Sequence, residues 1–137
     1  MDNNLYWTAE GSTAEVKEYI VLREQKPETT YNQIWLLKKN GNNENDYSLV
    51  SLSSDSGFRA VEYKANNEPY YLRKYESENS NQRLFISGTQ YPQFIRSGTD
   101  NTQFALPEGK HVDGAKIFPK IESPNNANVW NIIPLEP

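Results

Sequence analysis

Three stretches of sixteen residues determine how this chain is organised. They are Ile20-Val-Leu-Arg-Glu-Gln-Lys-Pro-Glu-Thr-Thr-Tyr-Asn-Gln-Ile-Trp35, Tyr70-Tyr-Leu-Arg-Lys-Tyr-Glu-Ser-Glu-Asn-Ser-Asn-Gln-Arg-Leu-Phe85 and Ala115-Lys-Ile-Phe-Pro-Lys-Ile-Glu-Ser-Pro-Asn-Asn-Ala-Asn-Val-Trp130. They align without gaps, each ends in a large aromatic residue, and these end points are 50 and 45 residues apart. A repeat of this length indicates units that cannot bury their own apolar faces and must pack against one another.

A second set of matching segments lies upstream of each stretch. The segments are Tyr6-Trp-Thr-Ala-Glu10, Phe58-Arg-Ala-Val-Glu62 and Phe104-Ala-Leu-Pro-Glu108, which start 52 and 46 residues apart. A further strand precedes two of them, as Tyr47-Ser-Leu-Val and Gln93-Phe-Ile-Arg. No counterpart precedes Tyr6, so the first unit either lacks its first strand or is irregular, with Leu5 to Glu10 in that place.

The alternation of short apolar runs with turn-forming residues along the chain predicts an all-β protein. Short runs rich in Tyr, Ile, Val, Phe and Leu alternate with turn formers such as Asn40-Gly41-Asn42-Asn43 and Ser97-Gly98-Thr99-Asp100-Asn101. Strands spaced about 8–12 residues apart are typical of sandwiches and barrels. Three units of 45–50 residues with about four strands each predict a β-trefoil, in which hairpins close and cap a barrel. We expect one domain over residues 1–137, with units of roughly 1–45, 46–91 and 92–137.

Composition excludes several classes of function. The 137 residues include 14 Lys and Arg, 18 Asp and Glu, one His and no Cys, giving a net charge of −4. Without Cys there is no disulfide framework, thiolate zinc site or thiol nucleophile, and one His excludes sites with two or three His ligands. The acidic balance argues against binding to nucleic acid, which needs clustered Lys and Arg.

The motifs that would indicate catalysis, cofactors or targeting are also missing from the sequence. It has no phosphate-binding glycine loop, nucleophile elbow or metal-ligand spacing, so we expect a non-enzymatic protein without a catalytic residue, metal or cofactor. No apolar stretch reaches the 18 residues that a membrane span needs, and we expect no membrane insertion. The start lacks a basic region followed by an apolar run, which favours a cytoplasmic location and leaves secretion open.

Short motifs resemble two families of β-trefoil proteins. Gln33-Ile34-Trp35 resembles the Gln-x-Trp signature of ricin-B-type lectins, including fungal ones, and Asn128-Val129-Trp130 is similar to a degenerate copy. The segment from Tyr47 through Ser56-Gly57-Phe58 to Asn81-Gln82 is similar to one such lectin repeat. Residues 6–49 and 115–134 resemble the mycocypins, fungal trefoil inhibitors of cysteine proteases, and residues 115–134 are also similar to related fungal inhibitors of serine proteases.

The lectin resemblance implies a glycan site, but of non-standard geometry. In that family an Asp on the second strand of a repeat binds the sugar hydroxyls, whereas Ala60 and Val61 stand there in this chain and Glu62 is the nearest carboxylate. Arg73 replaces the aromatic residue expected on the following strand, and only Phe118 fills that column.

The first functional hypothesis is therefore a lectin that binds glycans or glycoproteins through its loops. Sixteen Asn residues and many Tyr residues suit a polar binding surface with flat aromatic faces. The candidates for stacking on sugar rings are Trp7, Tyr63 and Tyr75. The candidates for hydrogen bonding are Glu62, Asn66, Asn81, His111, Asp113 and Asn126.

The alternative hypothesis is a protease inhibitor of the mycocypin-like type. One rigid exposed loop would enter the protease cleft, with Asn42-Asn43 or Pro124-Asn125-Asn126 as the inserted segment. Such an inhibitor needs a protruding loop, whereas a lectin needs an exposed aromatic side chain beside polar groups.

Two columns of the repeat predict structural roles. Glu10, Glu62 and Glu108 occupy one column, and we expect solvated side chains there rather than a ring of ligand-binding carboxylates. Trp35, Phe85 and Trp130 occupy another column, and we expect them to pack together in the core.

Overall fold

The structure is a computed structural model that describes most of the chain in ten segments. The described residues are 5–10, 18–25, 32–41, 45–51, 58–65, 67–86, 94–98, 103–109, 112–121 and 130–133. Their strands are β1 (Leu5–Ala9), β2 (Glu18–Glu24), β3 (Trp35–Lys39), β4 (Asp46–Ser51), β5 (Arg59–Glu62), β6 (Tyr71–Lys74), β7 (Leu84–Ile86), β8 (Ile95–Ser97), β9 (Phe104–Pro107) and β10 (Ile117–Lys120). A 3₁₀ turn, Ser80–Gln82, precedes β7. No helix in these segments is long and apolar enough to cross a bilayer.

Three antiparallel hairpins carry the threefold repeat. They are β1–β2, β5–β6 and β9–β10. Their second strands meet one another: β2 pairs with β6 through Tyr19 and Tyr71, and Val21 of β2 bridges to Lys116, just before β10. The Tyr70 N–H donates to the Ile117 carbonyl and links the remaining two hairpins. The all-β trefoil prediction is confirmed by this arrangement.

The other strands form the barrel wall. β4 pairs with β3, β5 and β7, and β8 pairs with β7 and β9. The predicted strands at Tyr47 and Gln93 correspond to β4 and, slightly later, to β8. No strand precedes β1 among the described residues, and residues 1–4 lie outside them.

The register of the hairpins corrects the alignment of the first unit. Val61 pairs with Leu72 and Pro107 with Ile117, so the two aligned columns agree in units two and three. In unit one Ala9 pairs with Ile20, although the alignment places Leu22 opposite it. The second strand of the first hairpin is thus displaced by two residues relative to the gapless alignment.

The core lies between the three hairpins and the barrel strands. Its buried members are Ala9, Ile20, Leu22, Leu49, Val61, Tyr70, Leu72, Leu84, Ile86, Ile95, Ala105, Ala115 and Ile117. Inward residues alternate with outward ones along each strand, so a small set of apolar residues is enough to fill a closed barrel.

The aromatic residues that end the three repeats do not behave alike. Trp35 and Trp130 are half-buried against the core, and their indole N–H groups donate to the carbonyls of Trp7 and Ala105, at 3.0 and 2.8 Å. Phe85 is half-buried beside the Arg96 guanidinium, whose Cζ lies 5.8 Å from the ring centroid. The predicted packing of all three in the core is therefore wrong for Phe85, because an outward position on β7 places it beside a cation.

Candidate functional site

One face of the β5–β6 hairpin collects polar, aromatic and charged side chains. Glu62 pairs with Tyr71 and Ala60 with Arg73, and paired residues share a face of the sheet. The next pair along the strands is Phe58 and Tyr75, where the Tyr75 N–H donates to the Phe58 carbonyl. We call these six residues the hairpin face. Val61 and Leu72, which alternate with them, belong to the core instead.

Glu62 is the fixed polar group of the hairpin face. Glu62 is only 7% exposed, and its buried carboxylate accepts three hydrogen bonds from other residues. Oε2 accepts from the Tyr71 hydroxyl at 2.7 Å, and Oε1 accepts from Asn79 Nδ2 at 2.9 Å and from Gln82 Nε2 at 3.0 Å. The expectation of a solvated side chain is therefore wrong for Glu62, because three donors of the protein replace its water.

The turn that supplies two of these donors is itself held in place. The Asn79 side chain accepts from the Asn81 N–H at 2.9 Å and caps the 3₁₀ turn. Gln82 Nε2 also donates to the Lys74 carbonyl, and Gln82 Oε1 accepts from the Glu76 N–H. This leaves the side chain of Asn81 exposed at the edge of the hairpin face.

Tyr71 and Arg73 lie side by side on β6. Burial, with a smaller contribution from the hydrogen bond to Glu62, raises the pKa of the Tyr71 hydroxyl. The exposed Arg73 lies over the Tyr71 ring, with its Cζ 5.8 Å from the centroid. A buried acidic hydrogen-bond network thus borders directly on an exposed guanidinium.

The other end of the hairpin face is aromatic. Tyr75 is half-buried, and Lys38 of β3 places its Nζ 5.2 Å from the centroid of the Tyr75 ring. Phe58 is 58% exposed, an unusual degree for a large apolar side chain. The face therefore combines exposed aromatic surface, two cations and a fixed carboxylate.

Trp7 and Tyr63 are placed differently from the prediction that they stack on sugars. Trp7 packs against the core and meets the Trp130 ring edge to face at a centroid distance of 5.2 Å. Tyr63 also packs against the core, with its ring 6.4 Å from that of Tyr70. Trp7 follows the inward alternation of β1, and Tyr63, the residue after β5, continues that of its strand, so both rings contribute to packing.

Asp113 belongs to a separate surface cluster. Arg23 donates to Asp113 Oδ2 at 3.1 Å and to Glu10 Oε1 at 2.7 Å, and all three side chains are well exposed. The hydrogen bond to Glu10 is the main cause that raises the pKa of Arg23. Glu10 is thus paired and Glu108 is exposed, so the Glu column forms no common site.

Several predicted residues cannot be placed. Asn66, His111 and Asn126, together with the loop segments Asn42-Asn43 and Pro124-Asn125-Asn126 of the inhibitor hypothesis, lie outside the described residues. Among the described residues, no group of three His, Cys, Asp or Glu side chains is arranged to hold a metal ion.

Of the candidates that the structure describes, Glu62, Tyr75 and Asn81 lie at or beside the hairpin face. Tyr63 is linked to this region by its backbone N–H, which donates to the Asn81 carbonyl. Sequence reasoning missed Phe58, Tyr71, Asn79 and Gln82 as members of this region. The alternate positions of Tyr71, Arg73 and Tyr75 are the sequence signal that predicts a shared face for these three residues.

Comparison with known proteins identifies the fold. No protein-family model matches the sequence, and no curated protein matches it significantly. The designed threefold-symmetric protein ThreeFoil has a similar structure, with a TM-score of 0.75 and 15% identity, over 96% of this chain and 91% of that one.

Two natural proteins contain a similar region within longer chains. A mosquitocidal holotoxin matches with a TM-score of 0.77 and 15% identity over 95% of this chain, which spans only 16% of the holotoxin chain. Cry35Ab1 matches with a TM-score of 0.65 and 20% identity over 100% of this chain, which spans 39% of that one. With the hairpin triplet and the barrel strands, these likenesses show that the chain has the β-trefoil fold, the fold that ricin-B-type domains also have.

Proposed function

We propose that the protein is a non-enzymatic, lectin-like carbohydrate-binding protein and that the hairpin face is its glycan site. The observation that carries the proposal is the Glu62 carboxylate, which is fixed by three donors and lies on one face with Tyr75 and Phe58. Sugars are bound by polar groups held in place next to an aromatic surface. A site that is ordered before binding loses less entropy when the ligand arrives.

The hydrogen-bond inventory of Glu62 leaves room for a ligand hydroxyl. Oε1 accepts two amide hydrogen bonds and Oε2 accepts one, while each carboxylate oxygen has two lone pairs. By this count Oε2 keeps one lone pair without a protein donor, on a residue that is 7% exposed. The exposed amide of Asn81, at the edge of the face, provides both a donor and an acceptor for a neighbouring hydroxyl.

The size of the face suits a short saccharide. Alternate residues on a strand are about 7 Å apart, so Tyr71, Arg73 and Tyr75 together span about 13 Å. This is the length of a disaccharide lying along β6.

A glycan array, followed by calorimetric titration of the glycans that bind, tests the proposal. We expect Asn81→Ala to weaken the affinity about 5- to 10-fold, as for the loss of one hydrogen bond. The Asn81 carbonyl that accepts from Tyr63 stays in place in this variant. Asn131→Ala, which changes an exposed Asn of the third unit, is the matched control and should bind as the unchanged protein does.

Two results would count against the proposal. One is an array without any bound glycan. The other is an Asn81→Ala variant that binds as tightly as the Asn131→Ala control.

A further inference from the structure

Arg73 stands at the centre of the hairpin face and is open to solvent. It lies on β6, two residues after Tyr71 and two before Tyr75, which follows the strand, and it pairs with Ala60 on β5, whose short side chain is fully buried. Arg73 is the exposed member of this strand pair. The Tyr71 ring beneath it restricts where the guanidinium can lie.

The described residues provide no counter-ion for Arg73. Arg23 forms ion pairs with two carboxylates, and Arg83 Nη1 lies 3.9 Å from Asp46 Oδ2. No ion pair links Arg73 to a described residue. The carboxylate on the same face, Glu62, is satisfied by Tyr71, Asn79 and Gln82. The Arg73 guanidinium is thus exposed, lies on an aromatic ring and has no ion-pair partner among the described residues, which leaves it open to an external anion.

A second cation lies close to this position. Lys38 extends from β3 to the Tyr75 ring, which is the next residue on the same face of β6 after Arg73. The Tyr75 ring therefore has Lys38 over it, and Arg73 precedes Tyr75 by two residues on the same face. Sugars that carry a carboxylate combine an apolar ring face with an anion, and the hairpin face matches both properties.

We infer that the ligand of the hairpin face is an acidic glycan, with a sialic or uronic acid whose carboxylate binds Arg73. The planar guanidinium donates two parallel hydrogen bonds to the carboxylate, a geometry that a Lys ammonium does not reproduce. Lys38 adds attraction without direction, and the sugar ring rests against Phe58, the exposed aromatic ring of the face. This inference depends on the proposed glycan site and specifies the class of its ligand.

Matched pairs of acidic and neutral glycans test the inference. The probes are sialyllactose against lactose, and digalacturonate against a neutral digalactose, each titrated by calorimetry. We expect at least one acidic member to bind about tenfold tighter than its neutral partner, as for a hydrogen-bonded ion pair. Raising the salt concentration should reduce this ratio, because the site is exposed.

Variants of β6 assign the preference to one side chain. Arg73→Gln should bring the ratio of acidic to neutral affinity close to one, and Arg73→Lys should keep only part of it. Lys74→Gln is the matched control, since Lys74 is exposed and adjacent but lies on the opposite face of the strand. That variant should keep the full preference.

The outcomes separate the two proposals. Equal binding of acidic and neutral glycans, or a preference that survives in Arg73→Gln, overturns the inference and leaves the glycan site standing. If no glycan of either kind binds, the proposed function itself fails.

Discussion

At the scale of single residues, Glu62 shows how an acidic side chain becomes part of the interior. Removing its carboxylate would leave the Tyr71 hydroxyl and the amides of Asn79 and Gln82 without their acceptor. Buried donors that lose their partner are costly, and bonds to charged groups are stronger than those between neutral groups.

We therefore expect Glu62→Ala to lower the free energy of unfolding by about 3 kcal/mol, measured by urea denaturation. Glu62→Gln should cost about 1–2 kcal/mol, because one carbonyl oxygen remains and the Tyr71 hydroxyl can turn to accept. Glu108→Ala, the exposed residue of the same column, should change stability by less than about 0.5 kcal/mol. Equal losses in Glu62→Ala and Glu108→Ala would show that the network contributes nothing.

Tyr71 should make stability depend on alkaline pH. Burial and the Glu62 hydrogen bond raise the pKa of its hydroxyl in the folded protein, whereas the unfolded chain ionises near pH 10. Between these two pKa values the folded state holds a proton that the unfolded state has lost. The contribution of Tyr71 is complete below about pH 10 and disappears as the pH rises through the folded pKa.

Urea denaturation of the unchanged protein and of Tyr71→Phe, from pH 8 to pH 11, measures this effect. The unchanged protein should lose more stability over the last part of this range than Tyr71→Phe does. Parallel curves for the two proteins would contradict the assignment.

At the scale of elements, the strands that end units one and two have different neighbours. β7 pairs with β4 on one side and β8 on the other, whereas β3 pairs only with β4 among the described strands.

Hydrogen exchange measured by mass spectrometry should detect this difference. Amides within Trp35–Lys39 should exchange faster than those within Leu84–Ile86, because a strand paired on one side only, as β3 is among the described strands, opens at lower free energy. β4, which is paired on both sides, provides an internal reference of high protection. Equal protection of β3 and β7 would indicate a second partner strand for β3.

The elements also show what the sequence can and cannot predict. The equivalence of Trp35 and Trp130 follows from the repeat, and their indole hydrogen bonds to Trp7 and Ala105 match it. The displacement by two residues in the β1–β2 hairpin does not, because an alignment without gaps cannot show a local offset between two strands. The burial of Glu62 was also out of reach, since its donors Asn79 and Gln82 lie 17 and 20 residues further along the chain.

At the scale of the whole molecule, the fold could be predicted more fully than the site. The spacing of the repeated stretches is enough to show three units, and each unit must bury the apolar face of its strands. The full set of the hairpin face occurs in only one unit. The Glu column is common to all three units, but by the observed register Val21 and Phe118 take the place of Arg73, and Arg23 and Lys120 that of Tyr75. Repetition reveals the architecture, whereas function lies in the departures from it.

The hairpin triplet also governs how the protein can be made. Val21 bridges to Lys116, so two strands that touch in the finished protein are separated by 95 residues of chain. Contacts between such distant residues form slowly, and proteins dominated by them fold in milliseconds to seconds. A ribosome has therefore synthesised nearly all of this sequence before the third hairpin can close on the first. Until then, the partial chain exposes the apolar faces that the hairpins will share, and this interval is when the nascent protein is most exposed to aggregation.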